Sequence, residues 1–150
     1  MKTYEELANS VIYKRNGSKI TLLNKASELE VIGIGRSAYA FRIKSTSLVL
    51  KVYFPTHIEV VKEESTVYNM LQGNPFFPKL HAFGENYIVI DYISGDTFFT
   101  CLLKGIPIKS KHILQIDTAL KSVKKVGLNP SDVHLRNIIL TSDGEVKLID

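Results

Sequence analysis

Three β-prone runs follow one another with little chain between them: Leu29 to Ile34, Tyr39 to Lys44 and Leu48 to Phe54. They are interrupted by Gly33-Ile34-Gly35-Arg36-Ser37 and by Ser45-Thr46-Ser47. Turn-forming residues spaced so closely make a meander of antiparallel strands the arrangement that accounts for them. Upstream, two short apolar-rich runs between Val11 and Leu23 flank Asn16-Gly17, a pair that supplies the positive torsions of a two-residue hairpin turn. Downstream the period changes. From His57 to Leu71, Val60, Val67 and Leu71 recur at helical spacing among charged residues, and Gly73 and Pro75 close the segment as glycine and proline close helices. Leu80 to Phe83 and Tyr87 to Tyr92 then read as a further strand pair, which brings the sheet to five strands.

Ser94-Gly95 breaks that run and is the candidate hinge between two halves. Beyond it the sequence predicts a short helix near Thr97 to Leu103 and a longer one from about Ser110 to Val126, whose apolar face is Ile113, Ile116, Leu120 and Val123. A closing hairpin follows, Ile138 to Leu140 and Val146 to Ile149, turning at Ser142-Asp143-Gly144.

A chain of 150 residues with 45% hydrophobic content suits one ordinary core or two small lobes sharing a cleft. Its formal charge of +4 favours an anionic ligand. The lysines are dispersed, so a nucleic-acid partner is not expected. Apolar runs too short to span a bilayer argue against a membrane partner. The single Cys101 forms no internal disulfide, and this reading expects a reducing, cytoplasmic setting. Cys101, His57, His81, His112, Phe76-Phe77 and Phe98-Phe99 are read as packing or ordinary surface residues.

Three patterns carry chemistry. Gly33-x-Gly35-x-x-Ala38 lies between two strands, where small residues let backbone N–H groups approach phosphate oxygens. Alone it is more often an ordinary glycine-containing hairpin turn. Lys51 sits inside the apolar strand Leu48-Val49-Leu50-Lys51-Val52-Tyr53 and needs a partner there; Glu63 and Glu64 on the next helix are available. Glu64 is favoured, because Val67 and Leu71 at i+3 and i+7 put it on the inward face. A surface lysine beside a solvated acidic face is the alternative. Finally, Asp132-Val133-His134-Leu135-Arg136-Asn137 is a polar loop entering a strand, and Asp150 follows thirteen residues after Asn137. In phosphoryl transfer an aspartate so placed orients the attacking hydroxyl, and an asparagine ligates magnesium on the nucleotide phosphates.

Taken in order, Gly33/Gly35, Lys51, Glu64, Asp91, Asp132, Asn137 and Asp150 resemble the protein-kinase-like superfamily over about residues 29 to 150. Within it the chain is most similar to small bacterial serine/threonine protein kinases and Rio-like kinases. The resemblance implies ATP and magnesium as cofactors, Ile90 as gatekeeper, and Asp91-Tyr92-Ile93 as the hinge whose backbone at Asp91 and Ile93 meets adenine. It also implies Asp150 as the metal-binding aspartate that accompanies Asn137. The form Asp-x-His-x-x-Asn, with His134, is similar to aminoglycoside and choline-type phosphotransferases as well.

Some positions depart from the pattern. Ala38 replaces the third glycine, and Pro130-Ser131 stand where His-Arg usually precedes the catalytic aspartate, which argues against control by activation-loop phosphorylation. The family's substrate platform would follow Asp150. The expected fold is therefore α+β and kinase-like: an N-terminal extension with a hairpin (1–28), a five-stranded antiparallel N-lobe with one helix (29–93), and a truncated, mainly helical C-lobe (94–150). The expected reaction is transfer of the γ-phosphoryl of ATP to a hydroxyl of a protein. A small-molecule acceptor, or nucleotide binding without catalysis, are the alternatives.

Overall fold

A capping box starts the first helix. Thr3 Oγ1 accepts the Glu6 N–H at 3.1 Å while the Glu6 carboxylate accepts the Thr3 N–H at 3.4 Å, so two of the orphan donors of α1 (Tyr4–Asn9) are satisfied reciprocally. The strands Ile12–Asn16 (β1) and Lys19–Asn24 (β2) then form the expected hairpin, with Gly17 at φ 65° in its turn. The meander follows as Leu29–Ile34 (β3), Ala38–Ile43 (β4) and Leu48–Tyr53 (β5), and a 3₁₀ turn at Pro55–His57 leads into the helix Ile58–Met70 (α2). Leu80–Phe83 (β6) and Tyr87–Asp91 (β7) complete an antiparallel five-stranded sheet in the order β3-β4-β5-β7-β6.

This computed structural model describes residues 2–130 and 137–149. The chain divides into two compact units, Met1–Thr66 with Leu80–Tyr92, and Val67–Lys79 with Ile93–Asp150.

The two faces of the sheet in the first unit are built differently. Strand side chains alternate between faces. Leu29, Tyr39, Phe41, Ile43, Leu50, Val52 and Val89 share one apolar face, and Leu7, Ala8, Ala26 and Phe54 join them in a single core. Tyr13, Ile20 and Leu22 of the β1–β2 hairpin pack on this core, and the Tyr13 and Phe54 rings meet edge to face at 5.2 Å. Residues before β3 thus cover one side of the sheet. The opposite face carries Ala38, Ala40, Val49, Lys51, Tyr53, Ile88 and Ile90, and α2 reaches it at Glu64.

In the second unit, Gly95–Thr97 (β8) is a short strand where the sequence suggested only a break. It pairs with Ile138–Thr141 (β9), which also pairs with Val146–Leu148 (β10). Backbone contact is so close that a Cβ on Gly95 would lie 2.3 Å from the Leu140 carbonyl oxygen, which only glycine permits. Thr97 caps Phe98–Lys104 (α3), and Gly105 ends it in the left-handed conformation. Ser110–Lys125 (α4) contributes Ala119 to a core with Phe98, Ile138, Val146 and Leu148.

Two helix faces differ from expectation. On α2 the buried positions are Val61, Ser65 and Tyr68, with Val67 exposed. On α4, Ile116, Leu120 and Val123 are inward as expected, but Ile113 is 56% exposed and His112 is buried instead. The reason is local. His112 Nδ1 accepts the Lys109 N–H at 3.0 Å and so caps the helix from within, a task isoleucine cannot perform. Burial, followed by the charges of Lys111 and Lys109, holds this imidazole below its ordinary pKa. Among the described residues no helix is long and apolar enough to cross a membrane.

Candidate functional site

Lys51 lies in the middle of a row that crosses the sheet. Register pairs Gly33 with Ala40, Ala40 with Lys51, and Lys51 with Ile88. Two small residues thus stand beside the lysine on one side and an apolar residue on the other. The Lys51 side chain is only 16% exposed, so its ammonium has lost most of its water and requires a counter-charge. Glu64 supplies it: Nζ and Oε2 are 2.9 Å apart. Glu63, the other candidate, is exposed. Glu64 is therefore the inward acid; of the two residues used to infer its direction, Leu71 is buried and Val67 is exposed.

The Oε2 atom of Glu64 also accepts a hydrogen bond from the Tyr53 hydroxyl. Tyr53 was not expected to take part. Its signal was nevertheless present, since position i+2 on a strand shares the face of position i. Ala40 was likewise overlooked, and the same alternation counted from Ala38 points to it.

The turn between β3 and β4 is tight. The Gly35 N–H donates to the Ala38 carbonyl at 2.9 Å, and the Ser37 carbonyl accepts the Phe54 N–H at 2.9 Å, which pins the turn to the end of β5. The register shifts between Val31 and Gly33. Neither glycine has a positive φ, and a Cβ on Gly33 would meet nothing within 4 Å. Folding does not require glycine at 33, and the space over it is open.

At the far end of β5, Leu48 pairs with Asp91, and Ile90 is buried with Val49 and Leu80 as its strand neighbours. The Asp91 carboxylate is engaged by His81, Nε2 to Oδ1 at 2.6 Å, a pairing not expected of a histidine read only as an ordinary strand residue. Ile93 is the first residue of this stretch assigned to the second unit. Asn137 lies at the base of the β9–β10 hairpin, where its carbonyl accepts the Ile149 N–H at 2.9 Å. Asp132 and Asp150 lie outside the described residues. The structure thus joins Lys51 to Glu64, aligns Gly33 with them, and sets Asn137 beside the neighbour of Asp150.

Over 148 residues the chain is 43% identical to the "Putative serine/threonine-protein kinase YrzF" of Bacillus subtilis (strain 168), covering 97% of this chain and 69% of that protein. The chain belongs to the protein-kinase-like superfamily. Similarity extends to protein kinase C zeta type of Oryctolagus cuniculus, 27% identical over 137 residues that make up 78% of this kinase-like chain and 23% of that one. Among solved structures, the Cydia pomonella granulovirus kinase PK-1 superposes with a TM-score of 0.64 at 24% identity, over 83% of this chain and 51% of its own. PpkA-294 in its apo form superposes with a TM-score of 0.67 at 17% identity, over 84% and 59%. At these identities the two structures speak for the fold, and they bear out the kinase-like α+β class with its five-stranded antiparallel sheet. These relatives do not specifically show a likeness to Rio-like kinases. No family model matches the chain.

Proposed function

We propose that this kinase-like chain binds ATP with magnesium and transfers the γ-phosphoryl group to a serine or threonine hydroxyl of a protein. The observation that carries this reading is the Lys51–Glu64 ion pair at 2.9 Å, in one cross-strand row with the small residues Ala40 and Gly33, the last with open space over it. A cation oriented by a carboxylate, in a row of small residues that ends in open space, suits phosphate oxygens. Gly33, Gly35 and Ala38 would border the phosphates, and the backbone of Asp91 and Ile93 would meet the adenine. The domain reading of 29–93 as N-lobe and 94–150 as C-lobe belongs to the same proposal.

In this mechanism Lys51 holds phosphate oxygens through the donors not directed at Glu64, and Glu64 fixes the direction of the ammonium. Asp132 orients the acceptor hydroxyl and takes its proton as the bond to the γ-phosphorus forms and the bond from that phosphorus to the β–γ bridging oxygen breaks, releasing ADP. Asn137 offers an amide oxygen of the hard type that magnesium prefers, and Asp150 a carboxylate. When bound, the ion would neutralise charge on the phosphates. A cytoplasmic setting goes with this reading, and the free thiol of Cys101 favours it.

Thermal melting with and without MgATP tests the nucleotide site, because a ligand bound only by the folded state raises stability by mass action. Melting temperature should rise with MgATP in the wild type and not in Lys51→Met. Asp132→Ala should retain the rise and lose phosphorylation of a protein substrate. An unchanged wild-type melting temperature at millimolar MgATP would falsify the nucleotide reading.

A further inference from the structure

The Lys51–Glu64 pair has a third member. Tyr53 projects from the same face of β5 as Lys51, opposite the small Ala38 of β4. Its hydroxyl donates to Glu64 Oε2, the oxygen that also receives Lys51 Nζ. Its ring lies near the ammonium as well, with Nζ 5.4 Å from the ring centroid, inside cation–π range. Tyr53 is 2% exposed, so the ring is fixed by its surroundings and the hydroxyl arrives at Glu64 from a rigid base.

The long Glu64 side chain is 24% exposed and rotates about three bonds, and water competes for it. A lone ammonium on another flexible side chain would hold it poorly. A phenol on two constrained torsions holds it well. Because the two donors share one oxygen, Lys51 is oriented by Glu64 while its remaining N–H groups stay directed elsewhere.

We propose that Tyr53 is a positioning residue for nucleotide binding: its hydroxyl locks Glu64 in the rotamer that faces Lys51 and so presets the ammonium for phosphate. This inference rests on the nucleotide-site reading above. A purely space-filling tyrosine makes a different prediction, because phenylalanine would replace it without loss.

The experiment is a double-mutant cycle on the intact chain with Tyr53→Phe and Glu64→Gln, read by MgATP titration with a fluorescent ATP analogue and by melting without nucleotide. Tyr53→Phe should melt within a few degrees of wild type and bind MgATP roughly threefold to tenfold more weakly, the scale of one lost hydrogen bond. In the Glu64→Gln background the same change should have little further effect on affinity, since the two residues act through one contact. Equal affinity of wild type and Tyr53→Phe would overturn the role of Tyr53 and leave the nucleotide site standing. Additive losses would overturn it too, by placing the effect of Tyr53 elsewhere than on Glu64. Failure of the wild type itself to bind would overturn the nucleotide reading, and the role of Tyr53 with it.

Discussion

The two faces of the five-stranded sheet are made by alternate residues of the same strands, yet they are composed on opposite principles. Leu50 and Val52 point into an aromatic and aliphatic core beneath the N-terminal helix and hairpin, whereas Lys51 between them points to a face where alanines and an ion pair stand among Val49, Tyr53, Ile88 and Ile90. The first face gains its stability from buried apolar area, at roughly 25 cal/mol per Å². The second gives up part of that gain, because glycine and alanine bury little and a desolvated ion pair barely repays its cost. A site and a core can therefore be one peptide bond apart, and substitutions at adjacent positions should fail in different ways.

The largest effect should come from Leu50→Ala. Leu50 is wholly buried, so the cavity should cost about 3 kcal/mol or more in urea unfolding, with MgATP affinity of the folded protein unchanged. Its neighbour Lys51→Met should do the reverse, shifting stability by about 1 kcal/mol or less while removing the stabilisation by MgATP. If both variants lose binding and stability together, the separation of the faces is wrong.

Tyr13→Ala comes next. The half-buried ring packs edge to face on Phe54 from the N-terminal hairpin, and its loss should cost about 2 kcal/mol without altering nucleotide affinity. A large fall in affinity would mean that the covering residues contribute to the site. Gly33→Ala should be nearly silent in stability, within about 0.5 kcal/mol, since its Cβ meets no atom. It should nonetheless weaken MgATP binding if the space over Gly33 receives phosphate.

The smallest effect lies outside this sheet and serves as its control. Burial lowers the His112 pKa from the ordinary 6.5, so the unfolded chain takes up the proton first as pH falls. Stability from this group is complete above about pH 6.5 and is lost below it toward the lower folded pKa. Melting temperature should therefore drop between pH 7 and 5, less steeply in His112→Asn, whose amide oxygen can still accept the Lys109 N–H. An equal slope in both proteins would remove His112 from the account.

The strands and turns of the first unit were legible because alternation and turn chemistry act over a few residues: Asn16-Gly17 alone specifies its hairpin. Glu64 was legible for an imperfect reason. The inward direction was correct, and of the two residues it was inferred from Leu71 is buried, but Val67 is exposed and the buried positions within the helix are Val61, Ser65 and Tyr68. Hydrophobicity could not reveal that a serine would be buried while a valine stayed exposed. On α4, Ile113 was preferred to His112 for the same reason, since an imidazole looks polar until its acceptor has a backbone donor to satisfy. The strand β8 has no alternation to read. Gly95-Asp96-Thr97 is a strand because its backbone pairs with β9, a long-range event with no local signature. The partnership of Tyr53 with Glu64 spans strand and helix, and the pairing of His81 with Asp91 spans two strands. Asp132 and Asp150 were read from spacing and family resemblance, and they fall outside the described residues.

The apolar core over the sheet has a consequence for how the chain is made. Of its buried members, Leu7, Ala8, Ala26, Leu29, Tyr39, Phe41, Ile43, Leu50, Val52 and Phe54 are synthesised before α2 begins, and Val89 alone comes later. During synthesis the amino-terminal residues leave the ribosome first and can make contacts before the rest of the chain exists. This core should therefore begin to close around the β3–β5 meander while the residues from Glu64 onward are still being translated. Lys51 would then wait on a formed strand for its counter-ion, and a nascent chain arrested just after Phe54 has emerged should already resist proteolysis.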